Sequence, residues 1–228
     1  MSGSRHQRIL DHGFVTLEEH FGDDLTIANA ARQSYNKRKE HLDAADIGLI
    51  NYLIEHRHGS PLEMVNFRFL VKCPISVMRE WIRHRMASYN ERSGRYTKLD
   101  PEFYVPHQFR QQVGKKGNYY HIAMDDIELT ERCQSLMNHA YMECYQTYDN
   151  LIAKGVAKEQ ARNVLPVGIY TQFAWNVNLR SLFNFLSLRT DERAMWEIRQ
   201  YANSIEGMVK IVVPHAWNAW NENGRSNP

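Results

Sequence analysis

Apolar and polar positions along the chain repeat with two different periods, and each period predicts a different element. In "VNFRFLVK", Val65, Phe67, Phe69 and Val71 alternate with Asn66, Arg68 and Lys72, which predicts a strand with one buried face. "GFVTLEEHFG" predicts a short strand closed by Gly22, and "GIYTQFAWNVN" predicts a third from its aromatic and β-branched residues. The helical period begins with "DDLTIANAARQSYN", where aspartates suit the cap and a helix is expected from about Leu25 to Tyr35. Ile47, Ile50, Leu53 and Ile54 share a second helix that stops at Gly59-Ser60-Pro61. After Pro74, the positions Ile75, Met78, Trp81, Ile82 and Arg85 mark one helical face, and the period is lost only after Asn90. "EFYVPHQF" reads as extended, His121 to Lys154 as one long helix ended by Gly155, and "KEQARNVL" as a short one. Leu182, Phe185 and Leu186 restore helical spacing in "LRSLFNFLSLR". "DERAMWEIRQYANSIEGMVKIV" predicts a last amphipathic helix with Asp191 as its cap. No repeat, low-complexity tract or linker divides these elements, so one α+β domain over residues 1–228 is expected.

Composition narrows the class. Of 228 residues, 43% are hydrophobic and 24% charged, ordinary values for a globular protein. No apolar run reaches the roughly 18 to 20 residues that cross a bilayer, and "MSGSRHQRIL" lacks a secretory core. A cytoplasmic protein with no membrane partner is expected. Cys73, Cys133 and Cys144 form no CxxC pair, which argues against a disulfide framework and favours a reducing compartment with all three buried.

The formal net charge is only +2, less than a bulk nucleic-acid binder carries, so no nucleic-acid partner is expected. Basic character is nonetheless concentrated in "REWIRHRMASYNERSGRY", Arg79 to Tyr96, which holds five arginines in eighteen residues. Guanidinium forks match phosphate oxygens, and Ser88, Asn90, Glu91 and Ser93 supply small polar groups beside them. A solvated basic helix face fits the same run, as does an RNA surface with Tyr89 and Tyr96 as stacking platforms. His56, His58, Ser60 and Glu63 suggest a metal, but His-x-His lacks the i, i+4 spacing of a helical zinc pair, and a helix cap fits equally. No metal is expected. Arg180 and Asn184 lie four residues apart and can face one groove, with Asn178 before them and Arg189 after; capping and simple exposure fit them too, and Arg162 likewise. There is no GxGxxG, Walker loop or GxSxG elbow, and Ser88 has no dedicated base nearby.

"RHRMASYNERSGR" resembles the signature of the flavin-dependent thymidylate synthases, in which Arg-His-Arg is followed after seven residues by Ser, with Ser-x-Asn-Glu-x-Ser-x-Arg filling the interval. The fit covers Arg83, His84, Arg85, Ser88, Asn90, Glu91, Ser93 and Arg95. "AARQSY", "HGSPLE", "ARNVLP", "NVNLRSLFNFLSLR" and "WEIRQYA" resemble further blocks in the family's order. The resemblance implies a small, mainly antiparallel sheet flanked by long helices. It also implies reductive methylation of dUMP to dTMP without a cysteine nucleophile, with methylenetetrahydrofolate as carbon donor, NADPH as reductant and FAD as cofactor. A homotetramer with active sites at subunit interfaces is implied as well. Carried over by position, the flavin residues are Ser34, His58, Ser60, Arg83, His84, Arg85, Glu91, Asn178, Arg180 and Asn184. The dUMP residues are Glu80, Arg83, Glu91, Arg92, Ser93, Gly94, Arg95, Arg162 and Arg189, with Arg189 at the uracil as the catalytic group. Glu80 stands where some members have glutamine, and a carboxylate beside a phosphate would repel it unless an arginine intervenes.

Overall fold

A computed structural model describes residues 5–225. The chain folds as two compact units and passes between them four times: one holds residues up to Lys72, Arg79–Glu91 and the chain from Gln172, and the other holds Cys73–Met78 and Arg92–Thr171.

The first unit is built on a five-stranded sheet. Strands β1 (His6–Ile9), β2 (Gly13–Phe21), β3 (Asn66–Pro74), β4 (Ser88–Glu91) and β7 (Tyr170–Asn178) take the order β1-β2-β3-β7-β4. The pairs β1–β2, β2–β3 and β4–β7 are antiparallel, with a register shift between Leu17 and Glu19. The alternation in β3 sends Phe67, Phe69 and Val71 into the core with no residual exposure, while Arg68 faces out to Glu18 and Glu19.

Helices α1 (Asp24–Arg32), α2 (Ala44–Glu55), α6 (Leu179–Arg189) and α7 (Trp196–Val212) also belong to this unit. Asp23 and Asp43 cap α1 and α2 through reciprocal side-chain and backbone bonds at the third helical position. In α7, Ile198, Tyr201, Ala202, Ile205, Met208 and Val209 repeat every three to four residues and are all buried. Trp81 anchors the core, its ring lying against Phe173, Trp175, Phe185 and Tyr201 at centroid distances of 5.0–5.9 Å.

The second unit contains the hairpin β5 (Arg110–Lys115) and β6 (Asn118–Ala123), the long helix α4 (Ile127–Ala153) and the single turn α5 (Lys158–Ala161). Its core is Leu99, Phe103 and Ile169, covered by Ile75, Tyr141, Tyr145 and Leu165. No helix among the described residues is long and apolar enough to cross a membrane.

Four expectations are corrected. Helix α3 (Ile75–Trp81) ends nine residues before Asn90, because Ser88–Glu91 pairs with β7 instead; Ile82 and Arg85 are exposed rather than on a helical face. The expected helix from His121 starts at Ile127, since Asn118–Ala123 pairs with Arg110–Lys115 across a turn with Gly117 at φ 86°. Asp191 does not cap α7, which begins five residues later; it accepts from the backbone and guanidinium of Arg193. Of the cysteines only Cys73 is buried; Cys133 and Cys144 are partly exposed along α4.

Candidate active site

The first unit contains a cleft of about 800 Å³ lined by Arg83, His84, Arg85, Asn178, Arg180, Asn184 and Arg189, with Glu63 as its carboxylate. Three sequence-distant segments build it. The turn after α3 carries Arg83 to Arg85 out of the core at the point where buried Trp81 ends the helix. The end of β7 delivers Asn178, whose side chain accepts from the Ser181 N–H at 2.9 Å and so starts α6. Arg180 and Asn184 follow one turn apart on that helix, and Arg189 is its last residue. The expected i, i+4 pair therefore does face one cleft.

The Arg83–Arg85 turn is fixed from below. Tyr89 in β4 donates its hydroxyl proton to the His84 carbonyl at 2.8 Å, and burial pushes that hydroxyl's pKa up to about 12. The imidazole of His84 packs edge-on against Phe185 at 4.9 Å. Burial, and then the positive charge of Arg189, lower its pKa to about 4, so the ring is neutral at physiological pH. Neutrality agrees with its hydrogen bond. Arg189 Nε–H donates to His84 Nε2 at 3.0 Å, which leaves the ring proton on Nδ1.

Arg189 is also held by Glu80 at two points. Nη1 donates to the Glu80 carboxylate at 2.9 Å and Nη2 to the Glu80 carbonyl at 3.0 Å. That carbonyl lies in the last turn of α3, where backbone oxygens lack helical partners and a cation is favourable. The Arg189 side chain is only 16% exposed. Glu80 thus has an arginine beside it, as its carboxylate requires.

Arg180 runs across the backbone at Gly59, where an added Cβ would lie 2.5 Å from its Nε, and it donates to Glu63 at 2.6 Å. A side chain at position 59 would push the Arg180 guanidinium aside. His58 is exposed and meets Tyr52 edge-on, while His56 stacks on Tyr52 at 4.0 Å. Ser60 lines a separate cleft of about 950 Å³ with Phe21, Asn29, Gln33 and Arg38. Ser34 is exposed in the adjoining turn Gln33–Tyr35. Six of the sequence-derived flavin residues line the first cleft and Ser60 lines the second, while Ser34, His58 and Glu91 line neither. Glu91 is the exposed last residue of β4.

The remaining candidates lie in the second unit. Arg92 donates to Asp100 at 2.6 Å and to the Lys98 carbonyl at 2.9 Å. Arg95 donates to Glu159 at 2.8 Å. Gly94 is buried, with Leu99 and Arg162 lying 3.2 and 3.4 Å from where a Cβ would be. Ser93 accepts from the Arg95 N–H at 3.3 Å. Arg162 is exposed in the turn after α5. The geometry adds Tyr89, Phe185 and Glu159 as supporting groups. Their partners are 5, 101 and 64 residues away in sequence, and only Tyr89 lies in the motif that drew attention to the site.

The donor set fits a flavin dinucleotide. Arg83, Arg85 and Arg180 supply guanidinium forks for a diphosphate, Asn178 and Asn184 supply amides, and the volume is that of a cofactor pocket.

Comparison with known proteins agrees with this chemistry. The family model described as thymidylate synthase complementing protein matches residues 16–215. A flavin-dependent thymidylate synthase of Thermus thermophilus is 48% identical over 214 residues, covering 94% of this chain and 77% of the relative. That of Thermosipho africanus is 45% identical over 213 residues, covering 93% and 92%. A UMP/dUMP methylase of Streptomyces cacaoi, solved with 5-bromo-UMP, superposes with a TM-score of 0.87 at 32% identity, covering 97% of this chain and all of that one. Matched along nearly its whole length, the chain belongs to the flavin-dependent thymidylate synthase family.

Proposed function

We propose that the chain, acting as a single domain in the cytoplasm, converts dUMP to dTMP with methylenetetrahydrofolate as carbon donor, NADPH as reductant and FAD as cofactor. The observation that carries this reading is the cleft in which Arg189, gripped by Glu80 and His84, faces the same space as Arg83, Arg85 and Arg180. The flavin, when bound, supplies the hydride-transfer chemistry.

The chain's own residues bind and polarise. Arg83, His84, Arg85, Asn178, Arg180 and Asn184 hold the flavin, with Ser34 and Ser60 toward its adenosine and His58 beside the ring system. Arg92, Ser93, Gly94, Arg95 and Arg162 hold the dUMP phosphate, and Glu91 lies at the boundary of the two ligands. Uracil C5 is a poor nucleophile. Arg189 donates to the O2/N3 edge of the pyrimidine and favours its electron-rich form, as preorganised charge does wherever negative charge develops. Cys73, with no residual exposure, has no part in this chemistry.

A homotetramer completes the proposal. Ile127, Leu136 and Met142 on α4 are 59–75% exposed, and Tyr119, Tyr120 and Ile122 of β6 are 44–60% exposed. A two-stranded hairpin with no packed face is marginal by itself, so further copies of the chain would cover these surfaces.

Spectroscopy of the purified protein tests the reading. It should be yellow, its flavin band should bleach with NADPH under anaerobic conditions, and dUMP should perturb the spectrum. Colourless protein that binds single-stranded RNA and ignores dUMP would overturn it in favour of an RNA-binding function.

A further inference from the structure

Each of the three nitrogens of the Arg189 guanidinium makes one hydrogen bond to the protein. Its Nε donates to His84, Nη1 to the Glu80 carboxylate and Nη2 to the Glu80 main-chain carbonyl, at 2.9–3.0 Å. A guanidinium has five N–H bonds, so each Nη retains one more. The Glu80 main chain is anchored because the next residue, Trp81, is fully buried and four aromatic rings hold it.

We propose that Glu80 is a positioning residue for Arg189: side chain and main chain together lock the guanidinium so that its two remaining N–H bonds point into the cleft at a fixed angle. The proposal rests on the reading that Arg189 meets the pyrimidine. It gives the carboxylate at position 80 a different task from contacting dUMP. The Glu80–Arg189 pair places a carboxylate and a guanidinium 2.9 Å apart, the arginine 16% and the glutamate 45% exposed, so losing Glu80 leaves a mostly buried guanidinium without its ionic partner. A glutamine oxygen can still accept from Nη1. An alanine cannot, and Arg189 would then be held only by the Glu80-position carbonyl and His84.

The test compares Glu80→Ala and Glu80→Gln in the flavin-loaded protein, following kcat and KM for dUMP and, separately, the ring nitrogen shifts of His84 in 15N-histidine-labelled protein. Expected for Glu80→Ala is a fall in kcat of tenfold or more, a KM within threefold of wild type, and a His84 Nε2 shift moved toward that of a free acceptor. Glu80→Gln is expected to keep kcat within threefold and the wild-type His84 signal. A kcat for Glu80→Ala within twofold of wild type would overturn the proposal. So would a KM rise of tenfold at constant kcat, which would make Glu80 a dUMP contact, or equal loss in both variants, which would make charge rather than orientation decisive. Wild-type protein that forms no dTMP would instead refute the underlying reading, and the His84 shifts would still report on the Glu80–Arg189 lock.

Discussion

Arg189 and Arg95 are both proposed dUMP residues, yet their surroundings are opposite. Arg189 is 16% exposed and bonded at all three guanidinium nitrogens, to groups anchored in an aromatic core. Arg95 is 55% exposed and bonded to a single carboxylate, Glu159, itself 49% exposed. An exposed pair of this kind contributes at most about 1 kcal/mol and is weakened by salt, so Arg95 can leave Glu159 for a phosphate at little cost. A mostly buried guanidinium held at all three nitrogens cannot reorient cheaply. The contrast matches two tasks. Recognising a solvated phosphate tolerates adaptable charge, whereas polarising a pyrimidine requires donors that are already in place.

The largest effect that would break this contrast is at Arg189. Arg189→Ala should retain flavin, measured by absorbance, and lose about 100-fold or more in dTMP formation, roughly the loss seen when one preorganised donor is removed. Survival within about threefold, under ~1 kcal/mol in the barrier, would show that the buried cation is not catalytic.

Next comes pH. Because His84 is held neutral, with a folded pKa of about 4 against 6.5, its contribution to stability is complete above pH 6.5 and is lost as pH falls from 6.5 towards 4. The full shift corresponds to roughly 3 kcal/mol. Water reaching the half-buried ring reduces this to about 1–2 kcal/mol. Urea unfolding at pH 7 and pH 4.5 should show that loss in wild type and a smaller one in His84→Gln; identical pH dependence would mean the ring is not held neutral.

Arg95→Ala should raise KM for dUMP about tenfold with kcat nearly unchanged, an effect that grows weaker with added salt. The smallest expected change sharpens the comparison from the other side. Glu159→Gln frees Arg95 and should lower KM for dUMP by about two- to threefold; a higher KM would show that Glu159 orients Arg95 rather than competing for it.

Strands β3 and β7 and helix α6 were legible because each has a buried face that imposes its period on the sequence. The β5–β6 hairpin was not. Every residue of β6 is exposed, so no buried face selects a period of two, and "NYYHIA" reads as readily as the start of α4. The early end of α3 was hidden for a different reason. Ile82 to Met86 are acceptable helix residues, and what turns the chain is the pairing of Ser88–Glu91 with Asn176–Phe173, together with the Tyr89 hydroxyl on the His84 carbonyl. The motif around Arg83 gave three of the residues that line the cleft, Arg83, His84 and Arg85, but not who holds whom. Glu80 read as a misfit beside a phosphate because its partner, Arg189, is 109 residues away and nothing local announces it.

The function itself is tested most directly by supplying the purified holoprotein with dUMP, methylenetetrahydrofolate and NADPH under anaerobic conditions and quantifying dTMP. The proposed function predicts dTMP formed in step with NADPH oxidation and absent when dUMP or the folate is omitted. Flavin reduced once by NADPH, with no dTMP produced when dUMP and the folate are both present, would contradict the account.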